Sequence, residues 1–444
     1  MNSDQTLPRL GRSESQPTPP VRIVHLGLGA FHRSHQAWYT QHAGDSADWG
    51  IAAFTGRRPD AAEVLAGQGG VFTVVERSGS GDSFEVVGSI VEAVDGADVG
   101  RLSELVAAPT TAVITLTITE AAYSADAAIQ GTSSTPLTRL VTALAARRDA
   151  GGGPIAVVSC DNLAENGTVT RGAIGVLAEA LDPALAAWID ENVSFVSTSV
   201  DRITPRTTEA DLAVVAQACG YRDAAPVVAE PFHNWILSGD FPAGRPRWED
   251  AGAVFVDDIE PYENRKLWLL NGAHSILAYA GLVRGHSTVA EALADDLCRD
   301  AVEAFWDEAA RHLSDDALDI PAYRQALLER FGNSRIAHHL TQIAMDGTTK
   351  LRMRALPVLS AERAEGRSGD GAARMIAAWI AYASSTTDFH DPLAAKMQDA
   401  KTLDGEPRTA ALLALISTEL AADAAVVSQI HRQLDSFAAT TTHA

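Results

Sequence analysis

The chain has 444 residues, of which 46% are hydrophobic and 21% charged, and its formal net charge is −22. This length exceeds what one hydrophobic core usually serves, so we expect a soluble globular protein of two domains. The negative charge argues against nucleic acid as a partner, and no apolar run is long enough to cross a membrane as a helix.

The first twenty residues are polar and contain prolines. We therefore predict that residues 1–20 form a flexible tail and not a secretory signal. Three widely spaced cysteines, Cys160, Cys219 and Cys298, fit free thiols in a reducing compartment. These features predict a cytoplasmic protein without a disulfide framework, and they leave its oligomeric state open.

From residue 21 onward, short β-branched runs alternate with helical patterns. The strand-like runs lie at 21–27, 50–55, 71–76, 84–90, 112–118, 155–160, 193–198, 226–230 and 253–257. An amphipathic helix is predicted over 137–148, between two of these runs. Strands interleaved with helices predict an α/β domain over 21–260 with a Rossmann-type, doubly wound parallel sheet that binds ligands at the carboxyl ends of its strands.

After about residue 260 the pattern changes to alanine- and leucine-rich helices with few strand signals. Helical periodicity is clear at 296–313, 372–383 and 408–420. We place a domain boundary there and predict a mainly α-helical catalytic or substrate domain over 261–440.

The first predicted strand ends in a Gly-x-Gly turn that begins at Gly27 and continues through Gly29, Ala30 and Phe31. At a strand-to-helix junction, such a turn lets backbone N–H groups approach a pyrophosphate. His32 replaces the third glycine of the usual fingerprint, and an ordinary tight turn gives the same pattern, so the motif alone is a weak signal. We assign these four turn residues to cofactor binding.

The second predicted strand is followed by Asp60, which could hold the ribose hydroxyls of NAD. Asp60 lies further from Gly27 than the roughly 20 residues of the short motif. Arg57 and Arg58 precede it and could instead receive a 2′-phosphate. NAD is therefore favoured only modestly over NADP.

Polar residues follow three other predicted strands. Thr119 and Glu120 follow the run at 112–118, and Asn162 follows the run at 155–160. The carboxyl ends of parallel strands are where this fold places its site, although loops also begin there. The run at 193–198 is followed by Asp201 beside Arg202, for which a surface ion pair is the simplest interpretation.

Lys266, Asn271 and His274 lie in an otherwise apolar segment that is predicted to be helical. At about 100° per residue they fall at roughly 0°, 140° and 80°, so all three project from one side. A lysine among leucines loses hydration, so its pKa should fall from about 10.4 and allow it to act as a base near neutral pH. Each residue alone would more often be structural, but the three together favour chemistry.

Tyr262 and Lys266 also match the Tyr-x-x-x-Lys pattern of short-chain dehydrogenases. Those enzymes resemble single domains with a different glycine turn and a serine about a dozen residues before the tyrosine. No serine occurs here between Ser238 and Tyr262. We therefore reject this interpretation.

A group of histidines near the glycine turn could suggest a metal site. Its members are His25, His32, His35 and His42. They lack His-Glu-x-x-His spacing and lie where a cofactor is expected, so no metal is predicted.

Six segments together resemble the polyol-specific long-chain dehydrogenases of the mannitol dehydrogenase and fructuronate reductase family. They lie at 25–40, 116–120, 159–167, 200–205, 229–235 and 266–275, and they occur in family order. The resemblance implies a metal-independent, NAD-dependent oxidoreductase. It also implies Lys266 as general base, Asn271 and Asn162 as donors to the reacting oxygen, and Glu263 as a proton relay.

In that family His274 and Asp201 would bind substrate hydroxyls. Gln342 takes the place of an arginine in the mannitol branch, as in fructuronate reductases, and Lys350 could meet a substrate carboxylate. Fructuronate and mannonate are slightly favoured, mannitol and fructose come close behind, and mannitol 1-phosphate with fructose 6-phosphate is third. A protein that senses sugar acids or dinucleotides without chemistry is the alternative from another class.

Overall fold

The structure is a computed structural model that describes residues 7–14, 16, 18–123, 135–386 and 390–437. It divides into two compact units, Met1–Glu260 and Pro261–Ala444. Among the described residues, no helix is both long and apolar enough to span a membrane.

The first unit is built on an eight-stranded sheet with the order β11-β10-β8-β7-β6-β1-β2-β5, and β4-β3-β9 form a second sheet of three strands. The strands are β1 (Val21–Leu26), β2 (Gly50–Phe54), β3 (Phe72–Ser78), β4 (Gly81–Val87), β5 (Ile90–Val94), β6 (Val113–Leu116), β7 (Ile155–Ser159), β8 (Val193–Asp201), β9 (Val227–Ala229), β10 (Asn234–Ser238) and β11 (Val254–Phe255). All neighbours in the large sheet are parallel except β8 and β10, which are antiparallel.

Helices connect these strands. They are α1 (Ala30–Ser34), α2 (Gln36–His42), α3 (Asp60–Ala66), α4 (Val99–Ala107), α5 (Pro136–Asp149), α6 (Asn166–Leu181), α7 (Pro183–Asn192) and α8 (Glu209–Cys219), with 3₁₀ turns at Ser46–Asp48, Glu120–Tyr123 and Trp248–Ala251. Their starts follow the expected capping chemistry. Thr208 and Asp211 form a reciprocal capping box at α8, and the Thr135 hydroxyl accepts the Thr138 N–H at α5.

Adjacent residues of β1 pack into different hydrophobic cores. Ile23 belongs to a cluster that contains Trp235, whereas Val24 belongs to one that contains Leu140. Successive side chains of a strand point to opposite faces, so the central sheet is covered on both sides. This confirms the predicted doubly wound parallel sheet.

Each predicted strand overlaps an observed one, with two differences. The run predicted at 84–90 is the end of β4 and the start of β5, which are separated at Gly88 and Ser89. Strand β10 was not predicted, because a short antiparallel strand that pairs with β8 carries little periodic signal of its own.

Within the segment that we expected to be a flexible tail, described residues among 7–14 form hydrogen bonds with the rest of the first unit. Leu10 N–H donates to the Arg222 carbonyl at 2.8 Å, and Arg12 N–H donates to the Gln68 carbonyl at 3.1 Å. The Arg12 side chain donates to the carbonyls of Gly69, Gly88 and Ile90 at 2.9, 2.7 and 2.7 Å. Polar composition suggested disorder, but the guanidinium of Arg12 donates hydrogen bonds to carbonyls of the first unit and anchors the described residues around it.

The second unit is helical, and no strand is assigned in the part of it that the structure describes. Its helices are α9 (Glu260–Arg265), α10 (Ala273–Val283), α11 (Val289–Ala294), α12 (Asp296–Ala310), α13 (Ile320–Phe331), α14 (Leu340–Ile343), α15 (Gly347–Arg354), α16 (Leu356–Ala364), α17 (Asp370–Ser385), α18 (Ala394–Ala400), α19 (Gly405–Ala414), α20 (Thr418–Ala422) and α21 (Ala424–Leu434), with 3₁₀ turns at Asp316–Leu318 and Asp435–Phe437. This confirms the predicted mainly helical C-terminal part. A π-helical segment, Lys266–Gly272, which we call the π turn, joins α9 to α10.

Helices α10 and α17 pack against each other in the core of this unit. Both are buried along most of their length. The run predicted as one helix over 408–420 is divided into α19 and α20, because the Ser417 hydroxyl accepts the Leu420 N–H and starts a new helix.

Candidate functional site

The glycine turn after β1 excludes a side chain at its first position. Gly27 has a φ of +111°, and a Cβ there would lie 2.0 Å from the Thr117 carbonyl oxygen. The N–H groups of Gly27 and Leu28 both donate to the Phe54 carbonyl, at 2.9 and 2.8 Å. The Thr117 hydroxyl donates to the Gly27 carbonyl at 2.9 Å. The turn is therefore fixed between β2 and β6.

The next part of the turn is open. A Cβ at Gly29 would meet only the Gly27 carbonyl oxygen, at 3.5 Å. Ala30 and Phe31 begin α1, and the Phe31 ring stacks on His35 with a centroid distance of 5.0 Å. The predicted cofactor residues therefore include a glycine whose missing side chain leaves space for a ligand to approach the backbone.

Histidines lie buried beneath this turn. His25 and His32 stack with their centroids 3.3 Å apart, and His25 also pairs with the hydroxyls of Thr115 and Thr117 at 2.8 and 3.1 Å. Burial lowers the pKa of His25 to about 3 and that of His32 well below its ordinary value. These imidazoles are neutral packing groups. Within the described ranges, no cluster of histidine, cysteine and carboxylate residues suits a metal ion.

Asp161, directly after β7, organises the end of β6. Its carboxylate accepts the N–H groups of Ile118 and Thr119 at 3.0 and 2.8 Å, and the Tyr123 hydroxyl at 2.7 Å. Thr119 has a φ of +79°, a conformation that a threonine adopts only when its surroundings impose it. Burial raises the pKa of Tyr123, so its hydroxyl remains a donor. Asp161 directly follows the strand-like run predicted at 155–160, but nothing in the sequence indicates this bridging role.

The other residues predicted at these strand ends are exposed. Glu120 begins the 3₁₀ turn after β6, and Asn162 follows Asp161. Asp60 begins α3 and lies 3.6 Å from the exposed Arg58. An ion pair this exposed contributes little stability, so both groups are available to a ribose or a phosphate.

Asp201 and Arg202 are both buried, so they do not lie at the surface as the simplest interpretation had them. Arg202 is buried and donates to the carbonyls of Ser34 and Glu230 at 2.5 and 3.0 Å, and to the Glu76 carboxylate at 2.5 Å. Asp201 is 9% exposed at the end of β8, opposite Asn234 of β10. The arginine is a structural anchor, and Asp201 remains the candidate substrate ligand.

In the second unit, the segment predicted as a regular α-helix contains the π-helical segment Lys266–Gly272. Its hydrogen bonds run from residue i to i+5, so residues five apart lie on one face, as residues four apart do in an α-helix. Lys266 and Asn271 are five apart, and His274 follows Asn271 by three in α10. The π-helical geometry therefore brings Lys266 and Asn271 closer together around the helix axis than the roughly 140° of a regular α-helix. It places these two residues and His274 on one face.

Side chains from other helices satisfy carbonyls of this π turn. The Trp306 indole N–H donates to the Leu269 carbonyl at 2.8 Å. Arg354 Nη1 donates to the Asn271 carbonyl at 3.0 Å and to Ser275 Oγ at 2.9 Å. Nothing in the local sequence signals these bonds, because the donors lie in α12 and α15.

His274 is 9% exposed, and its ring packs against Phe331 and His338 at centroid distances of 4.8 and 4.9 Å. Within the described part of the chain, its buried Nε2 has no hydrogen-bond partner. Burial lowers its pKa well below the ordinary value, and His338 and nearby cations lower it further. The cations are Arg330, Arg354 and Lys350. His274 is therefore a neutral imidazole in a cationic environment.

The remaining predicted residues differ in exposure. Lys266 and Glu263 are half-buried, whereas Gln342 is exposed on α14. Lys350 Nζ donates to the Ile343 carbonyl at 2.9 Å, and burial lowers the pKa of this lysine. Sequence reasoning missed Arg330 and His338, which reach His274 only through tertiary packing.

Comparison with known proteins matches both units to family models. The model described as "Mannitol dehydrogenase Rossmann domain" matches residues 21–250, and "Mannitol dehydrogenase C-terminal domain" matches residues 258–438. The D-mannonate oxidoreductase of Escherichia coli (strain K12) is 38% identical over 446 residues, which cover 93% of this chain and 91% of that protein. The mannitol 2-dehydrogenase of Cereibacter sphaeroides is 35% identical over 393 residues and covers 82% of this chain and 81% of that protein.

Two solved structures of polyol dehydrogenases are also similar to this chain over most of its length. The Pseudomonas fluorescens mannitol 2-dehydrogenase ternary complex with NAD and D-mannitol is 33% identical, with a TM-score of 0.75, and the match covers 97% of this chain and 92% of that one. A D-sorbitol dehydrogenase in substrate-free form is 27% identical, with a TM-score of 0.85 and coverage of 97% and 98%.

Proposed function

The chain belongs to the mannitol dehydrogenase family, whose members are oxidoreductases that act on CH–OH groups, and from this premise we propose an NAD-linked, metal-independent reaction. Hydride moves between NAD(H) and the secondary alcohol or ketone of a six-carbon polyol or aldonate. The observation that carries the proposal is the π turn, because it accounts for the spacing of Lys266, Asn271 and His274.

The first unit has the features that a dinucleotide needs. Gly27 admits no side chain and Gly29 leaves its backbone accessible, so this turn with Ala30 and Phe31 would hold the pyrophosphate. Asp60 would bind the ribose, and the 2′-phosphate of NADP would instead favour the neighbouring arginines. The other cofactor contacts would come from Thr119 and Glu120. When bound, the nicotinamide supplies the site that accepts or donates hydride.

Lys266, as general base, would accept the proton of the substrate hydroxyl, and Glu263 would pass that proton on. The carboxamides of Asn271 and Asn162 would donate hydrogen bonds to the oxygen as its negative charge develops. In the reverse direction, protonated Lys266 would return the proton to the ketone oxygen. His274 and Asp201 would bind the other hydroxyls of the substrate.

We place fructuronate and mannonate ahead of mannitol and fructose as substrates. The cationic environment of His274 supports this order, because it would attract a carboxylate in a chain whose overall charge is −22. The 38% identity to a D-mannonate oxidoreductase agrees with this order. Lys350 is the proposed ligand of the substrate carboxylate. Gln342 takes the place of the arginine that the mannitol branch has at this position.

The test is a substrate panel with NADH and NADPH. Fructuronate, tagaturonate, fructose and fructose 6-phosphate are compared by relative kcat/KM. A charged hydrogen bond contributes about 1.5–3 kcal/mol, so fructuronate should exceed fructose by roughly 10–100-fold. A preference for fructose would contradict the substrate assignment, and no oxidation of NADH with any ketose would contradict the proposed function.

A further inference from the structure

We infer that Arg354 is a positioning residue, which holds the C-terminal end of the π turn so that Asn271 shares a face with Lys266. The inference rests on the proposed function, because it assigns Arg354 a part in the same site. It adds a residue that lies in α15, remote in sequence from the helix that it holds.

A π turn requires support that an α-helix does not. Helices with i+5 bonding are rare, they occur mostly as single turns within α-helices, and these turns are frequently found at functional sites. Here the Leu269 carbonyl accepts from Trp306 and the Asn271 carbonyl accepts from Arg354. Packing adds to this support, because a Cβ at Gly272 would lie only 2.5 Å from the ring of Phe305. Residues of both α12 and α15 therefore hold the turn.

Arg354 contacts the part of the π turn that carries the Asn271 side chain. The same nitrogen, Nη1, contacts the Asn271 carbonyl at 3.0 Å and Ser275 Oγ at 2.9 Å, so it links the end of the π turn to the first turn of α10. The Trp306 bond restrains the turn two residues earlier, at Leu269. Loss of Arg354 would thus release the residue that bears the carboxamide and leave the middle of the turn fixed.

The charge of Arg354 strengthens this restraint. Burial lowers the pKa of Arg354 to about 10, so the guanidinium remains protonated at neutral pH. A hydrogen bond from an ionised donor is roughly twice as strong as one between neutral groups. Burial of a cation beside neutral oxygens is costly, which argues for a role beyond packing.

The experiment replaces Arg354 by methionine, which keeps the apolar stem and removes the donors. We expect kcat to fall roughly 10–100-fold, because a misplacement of about 1 Å can cost that much in rate. NADH binding, measured by fluorescence titration, should stay within about twofold. Guanidinium ion added to Arg354→Met should restore part of the lost kcat, which a general structural role would not predict.

The substrate pair separates positioning from carboxylate binding. A positioning residue acts on the reacting oxygen of every substrate, so Arg354→Met should lose the same factor in kcat with fructuronate and with fructose, whereas the loss of one cation near His274 should raise KM for fructuronate alone. A loss of kcat confined to fructuronate would overturn the inference. The matched control is Arg352→Ala, because Arg352 is exposed on the same helix and donates to the Leu415 carbonyl at 2.6 Å. That variant should keep wild-type kcat.

Arg354→Lys keeps the test decisive if the methionine variant does not fold. Lysine retains the charge but lacks the planar fork, so a folded Arg354→Lys protein should lose about tenfold in kcat. Wild-type kcat in either folded variant overturns the inference while the proposed function stands. If the unaltered enzyme shows no hydride transfer, the proposed function itself fails, and the two results are therefore distinguishable.

Discussion

Lys266, Asn271 and His274 are separated by five and then by three residues, and each interval suits the type of helix present at that point. Five residues make one hydrogen-bonded turn of the π segment, and three make a near neighbour in the α-helix that follows. The sequence predicted that these side chains share a face, but for a regular helix. The residues were recognisable by type and spacing, whereas the backbone that aligns them was not.

Replacement of Lys266 by alanine is predicted to abolish turnover. Removal of a general base typically costs roughly 10²–10⁴ in rate. Because the proposed cofactor residues lie in the first unit, binding of NADH should persist. Steady-state oxidation of NADH and an NADH fluorescence titration measure the two quantities.

The control for this experiment is Lys396→Ala. Lys396 is exposed on α18, and its removal deletes the same charge from the second unit. The control should retain wild-type kcat. Turnover that survives in Lys266→Ala at the level of this control would remove the base from the proposed mechanism.

Elements were predictable to different degrees. The buried strands β2 and β7 appeared as short apolar runs, since parallel strands are covered on both faces. The π turn was not predictable, because its cause lies in Trp306, Phe305 and Arg354, which come from other helices. The bridge from Asp161 to the end of β6 was missed for the same reason. Contacts across the fold leave no periodic signal in the segment that they shape.

At this scale we predict that Gly272→Ala distorts the π turn. The added Cβ would lie 2.5 Å from the Phe305 ring, and Phe305 is fully buried. Overpacking of this kind costs roughly 1–3 kcal/mol in the free energy of unfolding, and the displaced turn should also lower kcat. Urea denaturation and steady-state kinetics measure the two effects.

Two further variants define the cause of that effect. Gly175→Ala, in α6, introduces a Cβ with nothing within 4 Å and should be neutral or slightly stabilising. Gly272→Ala combined with Phe305→Leu should recover part of the stability, because the smaller side chain relieves the contact. If the double variant is as unstable as the sum of the single ones, the clash does not explain the loss.

At the scale of the whole molecule, a strongly acidic chain encloses several groups that must stay neutral. Burial lowers the pKa of both His25 and His35 to about 3, and it lowers the pKa of His32 and His274 well below the ordinary value. A group whose pKa is depressed on folding stabilises the protein above its unfolded pKa of about 6.5. That stability is lost as the pH falls from about 6.5 toward 3.

The carboxylates act in a lower pH window. Ion pairs and hydrogen bonds lower the pKa of Glu362, mainly through Arg367 and Arg311, so its contribution is lost only below about 4.5. His42 has the opposite sign. Burial alone would lower its pKa, but Glu85 and the Trp38 carbonyl together outweigh burial and raise the pKa, so His42 favours the folded state in mild acid. Between pH 7 and 5, the buried neutral imidazoles therefore dominate.

We accordingly predict that the melting temperature falls as the pH is lowered from 7 to 5. At pH 5 each imidazole with a folded pKa of about 3 costs roughly 2 kcal/mol, since 1.5 pH units separate that pH from the unfolded value. His25→Gln removes one such group and keeps hydrogen-bonding capacity toward Thr115 and Thr117. Its melting temperature should therefore depend less steeply on pH than that of the wild type, even if it is lower at pH 7. The same slope in both proteins, measured by circular dichroism, would show that His25 does not contribute to the acid sensitivity.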